Sequence, residues 1–93
     1  MANRLDAQQI SSALDKLNGW TLEGDQIERN LTFGNFVDAM VFVNKVAEVA
    51  EEEGHHPEIT IVYNRVKLAL TTHDAGGLTS KDFKMARRID TLQ

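Results

Sequence analysis

The sequence predicts an α+β fold in which helices alternate with antiparallel strand pairs, in the order α-β-β-α-β-β-α. Three observations predict it. Apolar residues recur at helical spacing in three separate segments. Between those segments lie two pairs of short alternating stretches, each pair parted by two residues suited to a tight turn. Asp6, Asn35 and Thr79, all good helix caps, stand where the helical segments begin.

Asp6 and Gln9 have capping-box spacing, and Leu5 and Ile10 flank them as a hydrophobic staple. Ile10, Ala13, Leu14 and Leu17 then keep the helical period until Asn18-Gly19 supplies a stop. Trp20–Glu23 and Gln26–Phe33 read as a hairpin turning at Gly24-Asp25, with Leu22 opposite Ile27 and Trp20 opposite Arg29. A strand tryptophan beside an arginine can rim a ligand, but it more often anchors a core, and Trp20 is assigned to the core.

Asn35 caps a long helix, Phe36–Glu52, with Asp38 in the first turn where the helix dipole favours negative charge. Phe36, Met40, Val43, Ala47 and Ala50 form one stripe. Val37, Val41, Phe42, Val46 and Val49 widen it beyond the ~100° that a single core face needs. The surplus predicts burial against a second subunit or within a sheet wrapped by other helices.

Gly54 ends this helix, and Pro57 biases His56 to extended geometry. Glu58–Tyr63 and Val66–Thr71 alternate as strands about an Asn64-Arg65 turn. That turn pairs Tyr63 with Val66, Ile61 with Leu68 and Ile59 with Leu70. Extended, the same register sets His56 opposite His73, with Cβ atoms ~5 Å apart. His73 to Gly77 reads as a flexible loop, after which Thr79 and Asp82 make a second capping box and Leu78 and Phe83 its staple. Phe83, Met85, Ala86, Ile89 and Leu92 supply the buried side of the last helix, and Lys84, Arg87 and Arg88 its solvated face.

A chain of 93 residues suits one compact domain, 1–93, and a site of any size gains from a neighbouring subunit. A net charge of -4 argues against general nucleic-acid affinity, and no apolar run approaches the ~18 residues of a membrane span. MANRLDAQQI lacks the apolar core of a signal peptide, and the absence of cysteine removes disulfides and thiolate metal sites. Both are compatible with the cytoplasm.

All three histidines, the only proline and the only tyrosine fall between Glu51 and Asp82. Imidazoles, with a reference pKa of ~6.5, can donate and accept protons in one turnover near neutral pH. On the plain structural reading they are satisfied polar residues in a helix-to-strand connection, Glu51 to Glu53 are a solvated helix end, and Asp82 is a cap. On the functional reading Glu51, one turn before His55, polarises an imidazole. A zinc or ferrous-iron site from these imidazoles with Glu51 or Asp82 lacks the H-x-x-x-H or H-x-H spacing that aims two ligands at one ion, and no metal is assigned. There is no serine or cysteine nucleophile motif and no glycine-rich phosphate loop.

Glu51, His55-His56-Pro57, Tyr63, His73 and Asp82, with Gly77-Leu78-Thr79 before the last helix, resemble the ordered motif of the pterin-4a-carbinolamine dehydratases. The likeness extends to Gly19-Trp20 and to the long helix, and so covers nearly the whole chain. It implies a four-stranded antiparallel sheet with three helices packed on one face, assembled as a homodimer or homotetramer. It also implies a metal-free hydro-lyase, without a cofactor of its own, that acts on a pterin carbinolamine and recycles the pterin cofactor of aromatic amino acid hydroxylases.

By the same resemblance His55, His56 and His73 are the catalytic positions. Glu51, Gly54, Pro57, Thr71, Thr72, Asp74 and Asp82 join them in contacting substrate. Gly54 replaces the polar residue that many members place before the histidine pair, so a side-chain contact from there is lost. Vertebrate members also act as dimerisation cofactors for a transcription factor, a role these residues do not carry over. The competing reading is a non-catalytic interaction or dimerisation protein with a structural or ligand-sensing histidine cluster.

Overall fold

The computed structural model describes residues 3–93. Helix α1 (Ala7–Leu14) precedes the hairpin β1 (Trp20–Glu23) and β2 (Gln26–Thr32). Helix α2 (Phe36–Glu53) leads into the hairpin β3 (Glu58–Val62) and β4 (Arg65–Leu70), and a 3-10 turn at His73–Ala75 precedes α3 (Ser80–Asp90). The expected α+β order is therefore present. The four strands form one antiparallel sheet in the order β1-β2-β4-β3, so the two hairpins meet along β2 and β4.

Strand residues alternate between faces, and one face holds Trp20, Ile27, Leu31, Ile59, Ile61, Val66, Leu68 and Leu70. These join the core with Ala39, Phe42, Val43, Val46, Val49 and Ala50 from α2 and Phe83, Met85, Ala86 and Ile89 from α3. The opposite face is polar, with a Lys67–Glu28 ion pair of 3.5 Å across β2 and β4. Trp20 is 7% exposed, the core role expected of it. Its indole Nε1–H donates to Asp90 Oδ1 at 2.9 Å, and Arg29, opposite it in the sheet, reaches the same oxygen at 2.8 Å.

All three expected caps form. Asp6 and Gln9 make one capping box and Thr79 and Asp82 another, while the Asn35 side chain accepts from the Asp38 N–H at 2.8 Å. The first helix ends at Leu14, before the expected Asn18-Gly19 stop; Gly19, with φ of 84°, instead turns the chain into β1.

The second hairpin departs from its expected register. The turn is Tyr63-Asn64, with Tyr63 at φ 52°, and Ile59 pairs with Leu68 and Ile61 with Val66. Asn64 is held in place by Phe33: its backbone carbonyl accepts the Phe33 N–H at 2.8 Å and its amide donates to the Phe33 carbonyl at 2.9 Å. The slip is by two residues, so every side chain keeps its face. Continuing this register sets His56 opposite Thr71, and the expected pairing of His56 with His73 does not occur.

The face of α2 is also rotated from the expected stripe. Val43 and Ala50 are buried, but Phe36 and Ala47 are exposed, because Ala39, Phe42, Val46 and Val49 take the side against the sheet. The Phe42 ring lies 5.1 Å from that of Phe33. Phe36, Val37 and Val41 remain as exposed apolar surface on the first half of the helix.

Candidate active site

The site is assembled where α2 ends. Gly54 adopts the left-handed conformation at φ 61°, and the next amide, His55 N–H, donates back to the Ala50 carbonyl at 3.1 Å. A β-carbon at Gly54 would meet nothing within 4 Å, so glycine serves the backbone here rather than a close contact. The expected helix end is thus present, and it delivers His55 toward the start of α3.

There His55 Nε2 lies 2.6 Å from Oδ1 of Asp82, a carboxylate that is 0% exposed. The other oxygen, Oδ2, accepts from the Thr72 hydroxyl at 2.8 Å and from the Thr79 N–H at 2.9 Å. The Thr79 hydroxyl stands 2.9 Å from that of Thr72, whose proton is committed to Asp82, and so donates to it. Nε2 of His55 is thus engaged by Asp82, and Nδ1 is the ring nitrogen left for another partner. Asp82 therefore caps α3 and fixes an imidazole with the same group.

The other two histidines are held differently. His56 Nε2 pairs with Glu51 Oε2, with the two side chains 62% and 77% exposed. His73 is exposed and sits in the 3-10 turn, which a Thr72–Gly77 bridge closes through Thr72 N–H to Gly77 O at 3.1 Å. The segment expected to be a flexible loop is therefore a hydrogen-bonded turn. Thr71 ties its base to the first hairpin, donating to the Asp25 carbonyl at 2.6 Å. A β-carbon at Gly77 would lie 2.9 Å from Cδ of Arg4, an exposed side chain that would have to shift to admit it.

A cavity of about 320 Å³ opens at this junction, within the ~300–1,000 Å³ range of small-molecule sites. All three histidines line it, with Gly54, Thr71, Thr72 and Asp74. Of the other expected positions, Asp82 lies beneath His55, Glu51 supports His56, and Pro57 directs the chain into β3. Lys81 completes the wall and was not anticipated. Its one signal in the sequence is adjacency to Asp82 in the first turn of α3.

A roomier groove, about 480 Å³, lies between α1 and α3, but it contains no histidine and its only carboxylate, Asp6, is occupied in capping α1. The three imidazoles, the side chains suited to proton exchange near neutral pH, line the smaller cavity. Among the described residues, no three histidine, aspartate or glutamate side chains converge closely enough to hold a metal ion.

The sequence model of the family described as pterin 4 alpha carbinolamine dehydratase matches residues 3–92. A protein of Trichormus variabilis, provisionally named a pterin-4-alpha-carbinolamine dehydratase, is 52% identical and covers 99% of this chain and 99% of its own length. A Thermomicrobium roseum protein of the same provisional name is 54% identical, with 96% of each chain covered. The crystal structure of a transcriptional coactivator/pterin dehydratase from Brucella melitensis superposes with a TM-score of 0.92 at 39% identity, covering 97% of this chain and 98% of that one. A pterin dehydratase-like protein identified as a RuBisCO assembly factor in the alpha-carboxysome shares the fold, with a TM-score of 0.64 at 23% identity over 78% of this chain and 84% of its own.

Proposed function

The chain belongs to the pterin 4 alpha carbinolamine dehydratase family, and from that premise we propose that it eliminates water from a 4a-hydroxytetrahydropterin to give the quinonoid dihydropterin. The observation that carries the reading is the His55–Asp82 pair at 2.6 Å on the wall of a cavity shared with His56 and His73. The C4a–O bond breaks as the hydroxyl takes a proton and leaves as water. The N5–H bond supplies its electron pair to the new N5=C4a double bond as its proton departs. One acid and one base suffice.

His55 Nδ1 is the base for the N5 proton, because Asp82 holds the ring through Nε2–H and faces the charge that proton arrival leaves on it. His73 in its protonated form delivers a proton to the leaving hydroxyl. His56, steadied by Glu51, orients the pterin. Thr71, Thr72, Asp74 and Gly54 shape the walls, and Lys81 adds a positive charge at the rim. No metal or cofactor enters the scheme.

In the cell the reaction recycles the pterin of an aromatic amino acid hydroxylase in the cytoplasm. Residues 1–93 act as one domain, and the exposed Phe36, Val37 and Val41 on α2 support assembly into a dimer or tetramer. The same surface favours a second reading, a non-catalytic interaction protein. Generating the carbinolamine with a pterin-dependent hydroxylase and following quinonoid dihydropterin separates the two. Turnover is expected to fall by ~10²–10⁴-fold in His55→Ala and in His73→Ala. Rates equal to wild type in both variants overturn the enzyme reading and leave the interaction protein.

A further inference from the structure

The last turn of α2, which presents His55, is closed by backbone bonds at Gly54 and His55 but carries a charge pattern that opposes it. Glu51, Glu52 and Glu53 place three like charges at the helix end where the dipole is already negative, and the last turn of α2 has no basic residue to offset them. Nor does this turn contribute to the core, since residues 51–54 are exposed or half-buried and none is apolar. Apolar packing of α2 on α3 stops at Ala50.

A set of cations from α3 offsets these charges. Arg88 Nη1 donates to Glu53 Oε2 and Nη2 to Glu52 Oε1, each at 2.7 Å. Lys84, one helical turn before Arg88 on the same side, takes the remaining Glu53 oxygen at 3.3 Å. An isolated exposed ion pair contributes little to stability, but a guanidinium fork bridging two carboxylates with a second cation is a network, in which geometry is shared.

The network is the second point of a two-point attachment. The first is His55 on Asp82. Asp82 and Arg88 are six residues apart in α3, about 9 Å along its axis at 1.5 Å per residue. One contact alone lets the end of α2 swivel about it; two contacts at that separation fix its direction. We propose that Arg88, through Glu52 and Glu53, is a positioning residue that holds the end of α2 so that His55 meets Asp82 in reacting geometry.

The inference rests on the dehydratase reading for its consequence, but the contact itself can be followed without turnover. The downfield ring N–H proton of His55, held by a buried carboxylate, reports the His55–Asp82 bond by NMR. In Arg88→Gln that signal is expected to broaden or vanish while the protein stays folded by circular dichroism. kcat falls about tenfold with KM changed less than about twofold, since misplacing a catalytic group by ~1 Å can cost up to ~10²-fold. The reversal Arg88→Glu with Glu53→Arg restores both signal and kcat to within about threefold of wild type, whereas Arg88→Glu alone does not. An unchanged His55 signal in folded Arg88→Gln overturns the proposal, as does a reversal no better than Arg88→Glu alone. If wild type shows no turnover, the dehydratase reading fails while the NMR comparison still decides the clamp.

Discussion

His55 and His73 line the same cavity but belong to different kinds of structure. His55 leaves the end of a long helix and bonds to a fully buried carboxylate, which two threonines also serve. His73 stands exposed on a short turn that the Thr72–Gly77 bridge closes and the Thr71 and Thr72 hydroxyls tie down, while its own side chain makes none of these bonds. One imidazole is fixed by the core and the other is carried by a loop. The equal roles proposed for them in the chemistry therefore come with unequal roles in stability.

The largest test of that contrast is Asp82→Ala. It removes the α3 cap and the partner of His55 together and leaves the Thr79 N–H buried without an acceptor. Chemical denaturation is expected to show a loss of about 3 kcal/mol or more, with turnover falling at least as far as in His55→Ala. Next come the histidines themselves. Both alanine variants lose comparable turnover, but His55→Ala also loses about 1–3 kcal/mol, because Asp82 keeps a buried oxygen with no donor. His73→Ala stays within about 0.5 kcal/mol of wild type. Matching stabilities for the two would erase the distinction. His56→Ala has a smaller effect: its exposed pairing with Glu51 leaves stability unchanged within about 0.5 kcal/mol, and steady-state kinetics show KM rising more than kcat falls.

The smallest effect concerns acid. Arg88 and then Lys84 hold the Glu53 carboxyl below the usual glutamate range. A lowered folded-state value means that this carboxylate stabilises the fold above its ordinary value of 4.5. The contribution is lost as the pH falls from there through the lowered value. Melting curves of wild type and Glu53→Gln are expected to differ at neutral pH and to converge in acid; a gap that widens on acidification contradicts the assignment.

Much of this was legible in the sequence because it is written locally. Capping boxes at Asp6 and Thr79, the Asn35 cap and the Gly54 stop depend on neighbours a few residues away, and all appear as expected. The first hairpin also kept its register, Trp20 with Arg29 and Leu22 with Ile27, because Gly24 supplies the turn's positive φ. The second did not. Asn64 is the natural opening residue of its turn, but its bonds go to Phe33, just past the end of β2 and thirty-one residues away, and Tyr63 takes the left-handed position instead. That long-range contact is why the expected His56–His73 pairing failed while the histidines still came to one cavity. The face of α2 was misjudged for a related reason. Periodicity gives the width of an apolar stripe, but the sheet decides which part of it is covered. Lys81 and the ion pairs of Arg88 were hidden because their significance depends on how α3 docks.

The sharing of Asp82 between the start of α3 and the His55 ring has a temporal side. The carboxylate cannot accept from His55 in its final geometry until Thr79 and Ser80 have begun the helix and that helix has met the end of α2. Contacts within each hairpin are local in sequence, whereas the His55–Asp82 contact spans twenty-seven residues and needs a helix that follows both hairpins. During refolding, closure of the His55–Asp82 contact is therefore expected to follow formation of the two hairpins and to coincide with the docking of α3. Under the proposed function, recovery of turnover is a clock for the docking of α3.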